Sequence, residues 1–193
     1  MGGKDKGWIS FNQQPLITHV LSRLSPQVTR VIISANRELD RYKSLGALVV
    51  VDEEFRNKNN INPSFQGPIS GIIAALRQVT TSHAVIVPVD APLLPESLVK
   101  TLLEPLSMPE SSVSPLTLIN DGERTQPLFG LYKQSLLRSL EEYYQAGNRR
   151  LMEWCCLQSP HIIQAPQLQS SFINLNSQEN LSALESSLKP SNR

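Results

Sequence analysis

The side chains best able to do chemistry in this chain sit where apolar runs end. Ala84-Val85-Ile86-Val87-Pro88-Val89 closes on Asp90, and a proline-punctuated turn, Ala91-Pro92, follows. Continuous apolar runs read as strands buried on both faces, as in parallel sheets, and ligands of open α/β sheets bind beyond the carboxyl ends of such strands. An Asp there, held by a rigid turn, can take a hard cation such as Mg2+, or it can simply cap the helix that starts near Pro95 and Glu96. Leu48-Val49-Val50-Val51 likewise closes on Asp52. Met1-Gly2-Gly3-Lys4-Asp5-Lys6-Gly7 has the glycines and lysines of a phosphate-cradling loop, and equally the makeup of a loose terminus. Gly67-Pro68-Ile69-Ser70-Gly71 opens a helix with two glycines, which admit a phosphate or planar ligand or merely tighten helix–sheet packing. Arg149-Arg150 precedes another helix, where the pair can hold an anion or stand solvated.

Bulk properties narrow the field. With 193 residues there is room for one domain with a substantial core. A net charge of +1 leaves no electrostatic footprint for nucleic acid or an acidic membrane. No apolar run nears the roughly 18 residues of a bilayer span, and no secretory signal follows the N-terminal charges. The two cysteines, Cys155 and Cys156, are adjacent, which suits buried packing or a vicinal disulfide and neither a disulfide framework nor a metal site. His19, His83 and His161 are scattered without zinc spacing. These features describe a soluble, cytoplasmic α/β protein without nucleic-acid or membrane partners.

The elements that must position these residues alternate. Asn12-Gln13-Gln14 reads as a turn, and Leu16, Ile17, Val20, Leu21 and Leu24 have the one-sided spacing of a helix over 16–24. A short strand over 31–33 opens into Ser34, a helix over 38–45 stops at Gly46, and a strand over 48–51 follows. Residues 53–66 lack any period and read as a functional flap. Further helices are expected through 72–79, over 96–104, 133–144 and 151–157, and strands over 84–89, 116–119, 128–132 and 171–176. Asp121-Gly122 makes a hairpin-type turn between two of these strands, and Gly147 stops a helix. Such alternation means βαβ units and a mainly parallel sheet.

It is the order of the pieces that points to a family. Gly-Gly-x-Asp-Lys, a carboxylate-ended strand, Gly-Pro-x-x-Gly, Val-Asp-x-Pro, Gly-x-Arg-x-Gln-Pro-Leu, Ala-Gly-x-Arg-Arg and x-Asn-x-Asn follow one another in a single file. This resembles the molybdenum cofactor guanylyltransferases over about residues 1–184, with 185–193 as a frayed tail. The resemblance implies a single domain with a Rossmann-like nucleotidyltransferase fold in three α/β/α layers. It also implies transfer of GMP from Mg·GTP to the phosphate of molybdopterin, with Mg2+ as cofactor and transient contact with molybdoenzyme chaperones. By the same resemblance Lys6 contacts the GTP phosphates and Asp90 binds Mg2+. Ser34, Asp52, Gly67, Pro68 and Gly71 line the nucleotide pocket. Gln126, Pro127, Arg149, Arg150, Asn174 and Asn176 belong to the half of the cleft that receives the pterin.

The chain also departs from that pattern. Family members open with an apolar strand and Leu-Ala-Gly-Gly before an internal Met-Gly-Gly, and Met1 stands where that internal Met would be. The expectation is a misplaced or truncated start, an exposed sheet edge, low stability and weak GTP binding. Ser34 replaces a frequent Asn, and Ser177-Gln178 replace a common Thr-Pro at the last helix start. Two other readings stay open: a related transferase that uses CTP on molybdopterin or an NTP on a sugar or alditol phosphate, and a non-catalytic cofactor-binding protein.

Overall fold

A computed structural model describes residues 5–52, 67–109 and 113–172. A minimal hairpin, β1 (Ser10–Phe11) and β2 (Gln14–Pro15), leads into α1 (Leu16–Leu24). Its turn is Asn12-Gln13, both with positive φ. β3 (Ile32–Ser34), α2 (Leu39–Lys43), β4 (Leu48–Val50), α3 (Ile69–Leu76) and β5 (His83–Ile86) follow in alternation. Next come α4 (Leu98–Leu103), β6 (Leu116–Asn120), β7 (Thr125–Lys133), α5 (Leu137–Gln145), α6 (Leu151–Leu157) and β8 (His161–Gln164). The expected flap at 53–66, and the segment from 173 onward, lie outside the described residues.

Strand order fixes the architecture. β3 pairs in parallel with β4, while β5-β7-β6-β8 forms a four-stranded sheet. β7 runs antiparallel to both neighbours, and β8 is parallel to β6. Because α3 starts at the carboxyl ends of β3 and β4 and returns the chain to the start of β5, β5 runs in the direction of β3. Among the described residues β3, β4, β5, β6 and β8 therefore share one direction and β7 opposes them, which is the mainly parallel α/β arrangement expected. Apolar side chains alternate between the two faces as a strand period of two requires. Leu116, Leu118 and Tyr132 pack with α3, α5 and α6, including Ile73, Leu140 and Trp154. Ile119, Phe129 and Leu131 pack with α1 and α4 on the other side, including Val20 and Leu98. Three layers result.

Several expected elements are corrected. The 84–89 run forms a strand only to Ile86, since Pro88 has no N–H to extend a ladder, and it pairs antiparallel with β7 rather than in parallel. Burial on both faces makes that run apolar, whatever the pairing direction. β7 begins at Thr125, earlier than its apolar stretch suggests, because a bulge absorbs Pro127: the register jumps from Leu118↔Gly130 to Ile119↔Gln126. Ser171 and Phe172 belong to a 3-10 turn (Pro166–Phe172), not a strand, with Phe172 packed on Phe129 at a ring separation of 4.3 Å. β8, unanticipated, closes the sheet on the far side. Both cysteines are free, Cys155 buried and Cys156 exposed, so there is no vicinal disulfide. Burial pushes the Cys155 thiol up to about 11.

Trp154 anchors the larger core. It is fully buried, stacks on Tyr132 with rings 6.1 Å apart, and donates its indole N–H to Ser139 Oγ at 3.2 Å. Truncation of a buried tryptophan costs about 3–5 kcal/mol. Trp154→Ala is therefore expected to lower stability by that amount in urea unfolding; a loss under about 1 kcal/mol would contradict this packing.

Candidate active site

Lys6 reaches the site from a 3-10 turn, Lys6–Trp8, whose N-cap is Asp5. Asp5 Oδ1 accepts the Gly7 N–H at 2.9 Å and the Tyr42 hydroxyl at 2.5 Å. Tyr42 comes from α2 and is buried. Burial, then the Asp5 carboxylate, raises its hydroxyl pKa well above the usual value, so it stays a donor at any ordinary pH. Gly7 makes this possible: a Cβ there would stand 2.2 Å from the Tyr42 hydroxyl oxygen. With the turn so held, Lys6 Nζ donates to Asp90 Oδ2 at 3.0 Å.

Asp90 lies in the turn after β5, nearly buried, while the Lys6 side chain is 47% exposed. Of the two readings left open by the sequence, helix capping is excluded. α4 starts at Leu98, with Ser97 as its N-cap, seven positions beyond Asp90. A carboxylate withdrawn from water needs a compensating cation, and Lys6 supplies it across a sequence separation of 84.

The second carboxylate is held differently. The Asp52 N–H donates to Asn36 Oδ1 at 3.1 Å, and Asp52 Oδ2 accepts the Ser70 hydroxyl at 2.5 Å. Ser70 is buried in the first turn of α3, so Asp52 faces the positive end of that helix. Close approach decides the next residue: a Cβ on Gly71 would come within 2.8 Å of Ser34 Oγ, so glycine lets α3 lie against the end of β3. Gly67 has φ +65, a backbone geometry that favours glycine, and faces the Arg149 carbonyl. The Arg149 guanidinium stacks on Tyr144 at 3.8 Å and donates to the carbonyls of Tyr144 and Asn148 at 2.8 and 2.7 Å.

The predicted residues therefore divide. Lys6, Ser34, Asp52, Gly67, Pro68 and Gly71 line one cavity of about 1040 Å³, with Asp90 joined to it through Lys6. Gln126 is not brought there: it is buried under the β6–β7 turn and donates to Asp121 Oδ2 at 2.6 Å. Asp121 also accepts the N–H groups of Glu123 and Arg124. Burial alone would raise its pKa, but these donors hold the carboxyl below its usual value. Pro127 sits in the β7 bulge. Arg150 points outward and pairs with Glu153 at 2.7 Å. Asn174 and Asn176 lie outside the described residues. Residue-by-residue reading missed Asp5, Asn36, Tyr42 and Ser70: Asn36 and Ser70 bond Asp52, while Asp5 and Tyr42 bond each other behind the Lys6 turn. An Asp directly before a turn is a capping signal that could have identified the first of them.

Comparison with known proteins converges on one assignment. The MobA-like NTP transferase domain family matches residues 1–162. A molybdenum cofactor guanylyltransferase of Shewanella putrefaciens is 35% identical over 179 residues, covering 93% of this chain and 86% of that one. The crystal structure of molybdopterin-guanine dinucleotide biosynthesis protein A from Archaeoglobus fulgidus superposes with a TM-score of 0.71 at 20% identity, over 95% of this chain and 90% of that one. The 2-C-methyl-D-erythritol 4-phosphate cytidylyltransferase of Thermus thermophilus shares the fold at a TM-score of 0.67 and 13% identity, over 94% and 92%. Similarity of this extent to full-length relatives leaves one conclusion: the chain belongs to the molybdenum cofactor guanylyltransferase family of MobA-like nucleotidyltransferases.

Proposed function

We propose that this nucleotidyltransferase moves GMP from GTP to the terminal phosphate of molybdopterin and releases pyrophosphate. The observation that carries the reading is the Lys6–Asp90 pair, a half-exposed cation on a nearly buried carboxylate at the carboxyl edge of the sheet. The names borne by the relatives supply the substrates.

The reaction asks for positioning and charge neutralisation. A terminal phosphate oxygen of molybdopterin attacks the α-phosphorus of GTP in line. The bond between that phosphorus and the bridging oxygen to the β-phosphate breaks, and the bridging electrons leave with pyrophosphate. Lys6 Nζ, exposed enough to exchange Asp90 for a phosphate oxygen, offsets charge on the triphosphate. Tyr42 and Asp5 set the direction of Lys6 from behind. The α3 N-terminus and the Gly67–Gly71 segment let a planar ligand approach backbone closely, and Asp52, fixed by Ser70, offers a carboxylate acceptor to a base or ribose.

Asp90 fits the Mg2+ that this chemistry uses. Mg2+ commonly takes one or two protein carboxylates and completes its shell with substrate phosphates and water. Among the described residues no cluster of three or more His, Cys, Asp or Glu forms a fuller metal site. When bound, the ion draws charge from the phosphate oxygens. Among the described residues, moreover, no helix is long and apolar enough to cross a membrane.

Three outcomes test this reading. Asp90→Asn is expected to cut guanylyl transfer by about 10²-fold or more while the chain stays folded; normal turnover with Mg2+ would refute the assignment. Tyr42→Phe is expected to raise the KM for nucleotide roughly tenfold, the worth of one hydrogen bond to a charged group, and an unchanged KM would detach Asp5 from substrate binding. In a thermal-melt panel of GTP, CTP, ATP and UTP with Mg2+, GTP alone should raise Tm, on the order of 5 °C near 100 times Kd. A shift with CTP instead would assign the chain to cytidylyl transfer.

A further inference from the structure

The turn that joins β6 to β7 is held more firmly than chain reversal requires. An Asp-Gly pair suffices to close a hairpin. In this turn Asn120 Oδ1 accepts the Gly122 N–H at 2.9 Å, and Asp121 Oδ1 accepts the N–H groups of Glu123 and Arg124 at 2.9 and 2.8 Å. The Asp121 N–H donates back to the Arg124 carbonyl at 3.2 Å, and Asn120 Nδ2 donates to Thr125 Oγ1 at 3.2 Å. Gln126, buried beneath, fixes the other oxygen of Asp121. The tip is packed as well: a Cβ on Gly122 would stand 3.0 Å from Pro166 Cβ. Both backbone polar groups of Arg124 are thereby engaged. Its side chain is exposed and, among the described residues, makes no hydrogen bond or ion pair. Arg149 and Arg150, by contrast, are engaged by Tyr144 and Glu153.

Strand register places this tip. Gly130 of β7 stands opposite Ile86 on one side and Leu118 on the other. Three residues further on, β6 has led to Asp121, which pairs with Arg124, and β5 has led to Val89, next to Asp90. Arg124 is thus level with Asp90 at the carboxyl edge, one or two strand spacings to the side, about 5–10 Å. Ser34 and Asp52 stand at the ends of β3 and β4, across the cavity from the edge of β5 that β7 does not occupy. The nucleotide pocket therefore lies on one side of Asp90 and the β6–β7 turn on the other, the side left for a second substrate.

We infer that Arg124 binds the phosphate of the acceptor, and that Asp121 and Gln126 are positioning residues that hold its backbone in place. The inference rests on the guanylyl-transfer reading and adds to it a contact for the second substrate. A guanidinium matches a phosphate monoester with two parallel N–H donors. Two of the three terminal oxygens accept them, and the third remains to attack the α-phosphorus of GTP. A side chain carried on a pinned backbone loses less freedom when it binds, which is the return on a turn with so many internal hydrogen bonds.

Binding of molybdopterin is measured first, by anaerobic equilibrium dialysis without nucleotide. Arg124→Ala is expected to weaken it about tenfold or more, the worth of hydrogen bonds to a charged group. Arg124→Lys should recover part of the loss, and Glu123→Ala, on the same turn, should change nothing. Molybdopterin stripped of its phosphate should bind the wild-type chain and Arg124→Ala alike. In turnover, Arg124→Ala should raise the KM for molybdopterin and leave the KM for GTP unchanged. Asp121→Asn should raise the same KM, and the double variant should be no worse than Arg124→Ala, because Asp121 acts through the arginine. Unweakened binding by Arg124→Ala would overturn the inference, as would an equal loss with the dephosphorylated acceptor. A rise confined to the KM for GTP would overturn it too. Guanylyl transfer that proceeds with an unchanged acceptor KM in Arg124→Ala removes this inference and leaves the reading it rests on. Arg124-dependent binding of molybdopterin by a chain that releases no pyrophosphate from GTP does the reverse.

Discussion

One ionic contact brings the two ends of this site together. Asp90 is nearly out of water at the end of β5, and Lys6 stands across from it on a turn that belongs to another part of the chain. Withdrawing a carboxylate from solvent is tolerable only with a partner, so the position of Lys6 is a condition on the rest of the structure. The Asp5 cap, the Tyr42 hydroxyl behind it and the side-chain-free Gly7 that lets the hydroxyl in are the means by which the condition is met. α2 supplies Tyr42, so this short helix earns its place by a hydrogen bond as much as by packing.

The remainder of the site follows the same economy of oriented backbone and few charges. Ser70 fixes Asp52 at the first turn of α3, and Gly71 lets that helix rest on Ser34 at the end of β3. Arg149, stacked on Tyr144 and bonded to two carbonyls, shapes the rim near Gly67. These residues come from four separate stretches of sequence, and Ser34 and Asp52 meet α3 because β3 and β4 point their carboxyl ends one way.

Local pattern made much of this legible. The apolar spacing of α1 and the last residues of α6 were readable to the residue, and Gly46 and Gly147 end their helices with positive φ as a stop signal should. What composition does not encode is partnership. Nothing in Val85-Ile86-Val87 says whether its neighbour runs with it or against it, since burial on two faces gives the same run in either case. Nothing in Pro127 announces a bulge, which exists only because Gly130 and Gln126 must both pair with β6. For the site, residue types at strand ends were legible, whereas Tyr42 and Ser70 are ordinary helix residues whose roles arise from distant contacts. Gln126, drawn from a motif, proves to serve the hairpin by bonding Asp121.

The break between β3 and β5 has a bearing on how the molecule behaves in concentrated solution. Unpaired strand edges usually invite intermolecular pairing and fibre growth. Among the described residues the edges of β3 and β5 that lack a strand partner face each other between α1 and α3, where the helices keep out the bulk of a second folded molecule. Enclosed in this way, those edges form no adhesive surface for a second folded molecule.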